Sequence, residues 1–141
     1  MKKILLILAL GIGIILSGCA GTAVQPDTSQ TAPENSAEYR KITAEQAKEM
    51  MDETEGWILL DVRTDEEFEA ERIEVAILIP DYEISGRAES ELPDKDAIIL
   101  IYCRTGRRSA FAAQKMADMG YANVYDFGGI VDWPYDTISG K

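Results

Sequence analysis

From residue 39 onward the chain alternates short apolar runs with segments whose apolar positions recur every three or four residues. Residues 39–42 predict a short leading strand. Thr43 followed by Gln46 is the reciprocal capping pattern that opens a helix, here to residue 53, before Gly56 breaks it. Residues 57–62 predict a strand with few polar positions, as in a sheet covered on both faces. Thr64 with Glu67 repeats the capping pattern and starts a short acidic helix to residue 70. Residues 75–79 predict a third strand, stopped by Pro80, and residues 82–92 a helix weakened by Gly86 and ended by Pro93. The most apolar strand, 98–103, ends in Cys103 and is followed by a helix over 108–119 with Gly120 as its stop. A last strand over 123–125, a turn at Gly128 and Gly129, a helical turn over 131–133 and a loose tail complete the chain. Such alternation predicts an α/β fold, a single domain with a mostly parallel sheet of about five strands and helices on both faces. Function in such sheets lies outside the carboxyl ends of the strands, where Cys103 falls.

The residues after that strand carry the chemistry. Cys103 is followed by Arg104, Thr105, Gly106, Arg107 and Arg108, and then by the predicted helix. A strand, a short loop and a helix N-terminus aim successive backbone N–H groups at one point and add the positive end of a helix dipole. The expected arrangement is an anion-binding cup with Cys103 at its rim and three arginines around it. Thiols at helix N-termini or beside cations ionise below their ordinary range, so the cup suits a nucleophilic sulfur. The alternative is a buried structural cysteine at a strand end.

Composition narrows the chemistry further. The sequence has no histidine, which excludes a Cys-His protease pair and any histidine metal site; neither a metal nor a cofactor is expected. The formal charge of −11 makes nucleic acid and anionic membrane surfaces poor partners for the domain body, while the arginine loop still attracts a small anion at short range.

The first 38 residues read as an address and a tether. Lys2 and Lys3 precede an apolar run over 4–16, which ends in Leu16, Ser17, Gly18 and Cys19. This ending resembles the lipobox of bacterial lipoproteins, which implies a signal peptide over 1–18, lipidation of Cys19 and extracytoplasmic anchoring to a bacterial membrane. Cys103 is then the free thiol that remains. Residues 19–38, rich in Thr, Ser, Gln, Ala and Pro, are expected to be a flexible tether, 39–134 the domain and 135–141 the tail. A secretory signal or uncleaved anchor with an incidental cysteine is the alternative.

Three blocks in order resemble the rhodanese-like sulfurtransferases. They are 58–68, from Ile58 through Asp61, Val62 and Arg63 to Phe68; 102–109, from Tyr102 to Ser109; and 128–133, from Gly128 to Trp133. The resemblance implies that Cys103 carries sulfur as a persulfide, that 103–108 is the active-site loop, and that Asp61 and Arg63 form a structural strand-end pair. It implies a sulfane sulfur taken from thiosulfate or a persulfide and passed to a thiol or cyanide. One segment departs from the family pattern. Where the family reads roughly Gly-His-Ile-Pro-Gly-Ala, this chain has Glu71, Arg72, Ile73, Glu74, Val75 and Ala76. A β-branched residue tolerates positive φ poorly, so this turn is expected to be built differently or strained.

Two other readings remain at this point. A cysteine phosphatase or arsenate reductase also holds a thiolate in an amide cup, but the phosphatase pattern sets five residues between cysteine and arginine. Here that spacing falls on Ser109, one position past Arg108. A non-catalytic, envelope-anchored binding module is the other. Oligomeric state is not written in the sequence.

Overall fold

The computed structural model of the chain describes residues 38–140, so the expected signal segment, Cys19 and all of the expected tether but its last residue lie outside the described residues. Five strands form one parallel sheet: β1 (Arg40–Lys41), β2 (Trp57–Asp61), β3 (Ile77–Leu78), β4 (Ile98–Cys103) and β5 (Asn123–Gly129). Their order is β1-β5-β4-β2-β3, which puts β4, the strand that ends in Cys103, at the centre. Parallel neighbours need crossovers, and the helices supply them: α1 (Ala44–Glu53), α2 (Asp65–Ala70), α3 (Ile84–Glu91) and α4 (Arg107–Asp118).

Both predicted capping boxes form, with Thr43 and Gln46 opening α1 and Thr64 and Glu67 opening α2. Alternate residues of β4 feed two apolar layers. Ile99, Ile101 and Cys103 pack with Ile84 and Ala88 of α3 and Ala112, Ala113 and Met116 of α4. Leu100 and Tyr102 pack on the other face with Ala44 and Ala47 of α1, Phe127 and Trp133. Each fully buried Leu or Ile contributes about 1.5–3 kcal/mol, so the central strand anchors both layers.

Three elements differ from expectation. Strand β3 is only two residues long because the turn before it consumes Val75 and Ala76. Strand β5 runs on to Gly129, since Asp126 pairs with Lys41 and Gly129 with Cys103, and the helical turn is a 3-10 turn over Ile130–Asp132. The tail is not loose. Ile138 bridges Arg72 with N–H to O distances of 2.8 Å in both directions, and Gly140 N–H donates to Glu69 O at 2.9 Å.

The departure at 71–76 has a structural counterpart. Val75 is the single non-glycine residue with positive φ among the described residues, at +61°, and its side chain is 67% exposed. A left-handed β-branched residue costs on the order of 1–2 kcal/mol, and here little burial offsets it. Val75→Gly is therefore expected to raise stability by about 1 kcal/mol, the entropic cost of glycine included, and the melting temperature by about 4 °C. Thermal unfolding of the two chains checks this; a lower melting point for the variant would contradict it.

Candidate active site

The loop between β4 and α4 turns at Gly106, which lies at φ +95° as the residue before α4. Only glycine adopts this backbone without strain. The turn brings the Gly106 N–H back to the strand end, where it donates to Cys103 Sγ at 3.1 Å. Helix α4 then begins at Arg107, and its first-turn N–H groups have no intrahelical acceptor, leaving the positive end of its dipole beside the loop.

Cys103 sits at the base of the cup and not at its rim. The residue is 1% exposed and its flank belongs to the aliphatic layer under α4, while its sulfur faces the Gly106 amide. The strand carries its even-numbered and odd-numbered residues to opposite layers, so an odd position at the end of β4 is drawn under α4 before the chain turns. Over the loop lies an open depression of about 480 Å³ lined by Arg104, Thr105, Arg107, Arg108 and Val131. Arg104 also lines a second cleft of about 250 Å³, together with Arg63, Glu67 and Val131.

The three arginines have different situations. Arg108 is held by Glu67 of α2 in a two-pronged ion pair, Nη1 to Oε2 and Nη2 to Oε1, both at 2.8 Å. Its guanidinium therefore ties α4 to α2. Arg104 and Arg107 have no ion pair among the described residues and line the depression. Glu67 Oε2 also accepts the Thr64 N–H at 3.2 Å, so one carboxylate caps α2 and clasps α4. The Arg108 hydrogen bonds, aided by that N–H, bring the Glu67 carboxyl down to about 2. A carboxylate with a depressed pKa adds stability that is fully present above its unfolded value near 4.5 and is lost as the pH falls towards 2. Glu67→Gln keeps the capping geometry and removes the charge. It is expected to cost about 1 kcal/mol at pH 7, after solvent screening of a quarter-exposed pair, and almost nothing near pH 2. Denaturant unfolding at the two pH values measures the difference, and an equal cost at both would exclude the ion pair as its cause.

A buried pair lies at the end of β2, the strand beside β4. Arg63 Nε donates to Asp61 Oδ1 at 2.9 Å, and Arg63 Nη2 donates to both Asp61 Oδ2 and the Glu71 carbonyl. Burial is the largest influence on Arg63 and opposes its charge, but the Asp61 hydrogen bonds and field outweigh it and hold the guanidinium charged. Arg63 lies 5.5 Å over the Tyr102 ring, and burial pushes the Tyr102 hydroxyl pKa up. That hydroxyl accepts the Ile73 N–H at 3.3 Å. The pair thus fixes the 71–73 backbone next to the strand ends.

Four contributions to the site have no local signal in the sequence. Glu67 reads there as a helix cap alone, because its second partner is 41 positions away. The Ser109 hydroxyl shares its one proton between the carbonyls of Gly106 and Gly128, at 3.1 and 3.2 Å, and staples the loop to β5. Val131 stands at the mouth, and its N–H donates to Arg104 O at 3.3 Å. Gly129 lies so close under the loop that a Cβ there would stand 2.7 Å from Thr105 Cα.

The profile of the Rhodanese-like domain matches residues 43–135. The chain is 36% identical over 86 residues to the thiosulfate sulfurtransferase PspE of Escherichia coli K12, covering 61% of this chain and 81% of that one. It is 36% identical over 94 residues to a sulfurtransferase of Allochromatium vinosum, covering 66% and 86%. A solved structure described as rhodanese with anions from E. coli superposes with a TM-score of 0.56 at 34% identity, covering 59% of this chain and 98% of that one. With a parallel sheet of matching fold, a cysteine under an arginine-bearing loop and a profile match across the described domain, the chain belongs to the rhodanese-like domain family.

Proposed function

We propose that the protein is a sulfurtransferase in which Cys103 carries the transferred sulfur. The observation that carries this reading is the buried Cys103 sulfur accepting the Gly106 N–H, in a loop whose Arg104 and Arg107 line an open depression. The Cys103 thiolate attacks the outer sulfur of thiosulfate; the S–S bond of the donor breaks, and sulfite leaves with the electron pair. Loop amides and the arginines stabilise that anion as it departs. Cyanide or a thiolate then attacks the outer sulfur of the Cys103 persulfide, and the cysteine leaves as thiolate, which closes a ping-pong cycle. A persulfide donor enters by the same first step with a thiolate as leaving group. Similarity to sulfurtransferases in two organisms supports the reaction class. Incubation of the full chain with thiosulfate tests it: intact mass should rise by one sulfur and return on adding cyanide. Hydrolysis of an aryl phosphate without sulfur uptake would replace the reading by a phosphatase, and neither activity by a binding module.

The second part of the proposal concerns location. The Leu16, Ser17, Gly18, Cys19 ending supports lipidation at Cys19 and extracytoplasmic anchoring to a bacterial membrane. Cys19→Ala is expected to leave the signal uncut or to release the protein from membranes on fractionation. Normal processing with unchanged attachment would refute it.

A further inference from the structure

A second site lies on the opposite face of the sheet from Cys103. Cys103 belongs to the layer under α3 and α4, whereas Trp57, Ile73 and Trp133 belong to the layer under α1. Between α1, the 73–75 turn and the 133–136 segment opens a groove of about 510 Å³ whose apolar wall includes Trp57, Val75, Trp133 and Tyr135. It does not end there. Val75 and Trp57 also line a neighbouring depression that leaves this face and reaches Ile77, Glu91 and, in the layer of Cys103, Ile58 and Leu92; Tyr135 lines another along α1 beside Glu45 and Glu49. The three share lining residues, Trp57 and Val75 on one side and Lys48, Asp52 and Tyr135 on the other, and so form one continuous track.

The rim of this track is acidic. Glu74 and Asp136 line it without an ion pair among the described residues. Its single cation, Lys48, is neutralised by Asp52 at 2.5 Å and stands 5.8 Å from the centre of the Tyr135 ring. An ammonium group beside a carboxylate and over an aromatic face is thus already accommodated here.

Two further observations mark the track as incomplete. Trp133 is 9% exposed, and its buried Nε1–H has no acceptor, whereas Trp57 Nε1–H donates to Met51 O at 3.0 Å. An unsatisfied buried donor costs about 1–3 kcal/mol; the nitrogen itself is closed to solvent, so an occupant's carbonyl reaches it only if the Trp133 ring moves. Val75, strained at φ +61°, presents its isopropyl group to solvent between two of the depressions. Strain combined with apolar exposure is what an interaction surface retains when its occupant is absent.

We propose that this track binds an extended segment of a partner protein in which lysine or arginine alternates with apolar residues. The apolar side chains lie on Trp57, Val75 and Tyr135, and the cations pair with Glu74 and Asp136. The inference does not depend on sulfur transfer. Its test uses the chain's only two tryptophans, Trp57 and Trp133, both of which line the groove. The full-length protein is titrated with an end-blocked peptide of about seven alternating lysine and leucine residues, matched to one strand length. A saturable change in tryptophan emission is expected, weakened about fivefold in Glu74→Gln/Asp136→Asn and by added salt. Both substituted residues are at the surface, and unchanged thermal unfolding and unchanged sulfur uptake at Cys103 would show the variant intact. No saturable change at millimolar peptide overturns the proposal. So does equal binding of a glutamate-leucine peptide, or wild-type affinity in the double variant. Equal competition by butylammonium would show that an isolated cation suffices and no peptide is read. Emission that shifts with protein concentration alone would assign the groove to a second copy of the chain.

Discussion

Cys103→Ser is expected to take up no sulfur from thiosulfate and to lose roughly 10⁴-fold or more in turnover, because no other group in the cup can form a persulfide. The chain has two cysteines, and Cys19 lies outside the described residues, so Cys19→Ala serves as the parallel control. The serine oxygen still offers an acceptor to the Gly106 N–H, and the change removes little volume, so the fold should lose no more than about 1 kcal/mol. The assay therefore separates chemistry from stability. Persistent cyanide-labile sulfur on the serine variant would place the carrier elsewhere and end the proposal.

Gly129→Ala should damage both the fold and the site. At φ −120° any residue fits the backbone of position 129, so the effect is one of space alone. A methyl group there meets the Arg104 and Thr105 backbone, with Thr105 Cα at 2.7 Å, and backbone cannot swing aside as a side chain can. The loop must rise off β5, breaking the Ser109 bridge to Gly128 O and the Val131 to Arg104 bond. A loss of about 2–4 kcal/mol is expected, with sulfur uptake slowed in whatever remains folded. Denaturant unfolding followed by intact-mass kinetics checks both. Wild-type stability and rate would show that the loop and β5 do not pack as closely as described.

The lesson of Glu67 differs from that of Thr43. Both capping boxes are written in residues three apart, so local pattern suffices for α1 and α2 to be placed within a residue of where they form. The bidentate clasp of Glu67 on Arg108 joins positions that only the crossover connections bring together, and no local rule names it. The tail shows the same limit. Its sequence lacks periodicity, yet Ile138 and Gly140 find partners at Arg72 and Glu69. The 71–76 segment was partly legible: the missing glycines signalled a strained or rebuilt turn, and the structure places Val75 in the left-handed region.

What the sequence alone determined is whatever depends on neighbours along the chain: the α/β alternation, the helix caps and the strand that delivers Cys103 to a loop before a helix N-terminus. Only the tertiary structure decided the depth of the sulfur, the division of labour among Arg104, Arg107 and Arg108, and the closeness of Gly129 to the loop. These depend on which layer each side of β4 faces and on which distant backbone the packed sheet brings alongside. Local propensity sets the direction of a chain segment, but the space left around a side chain is set by segments far away in sequence.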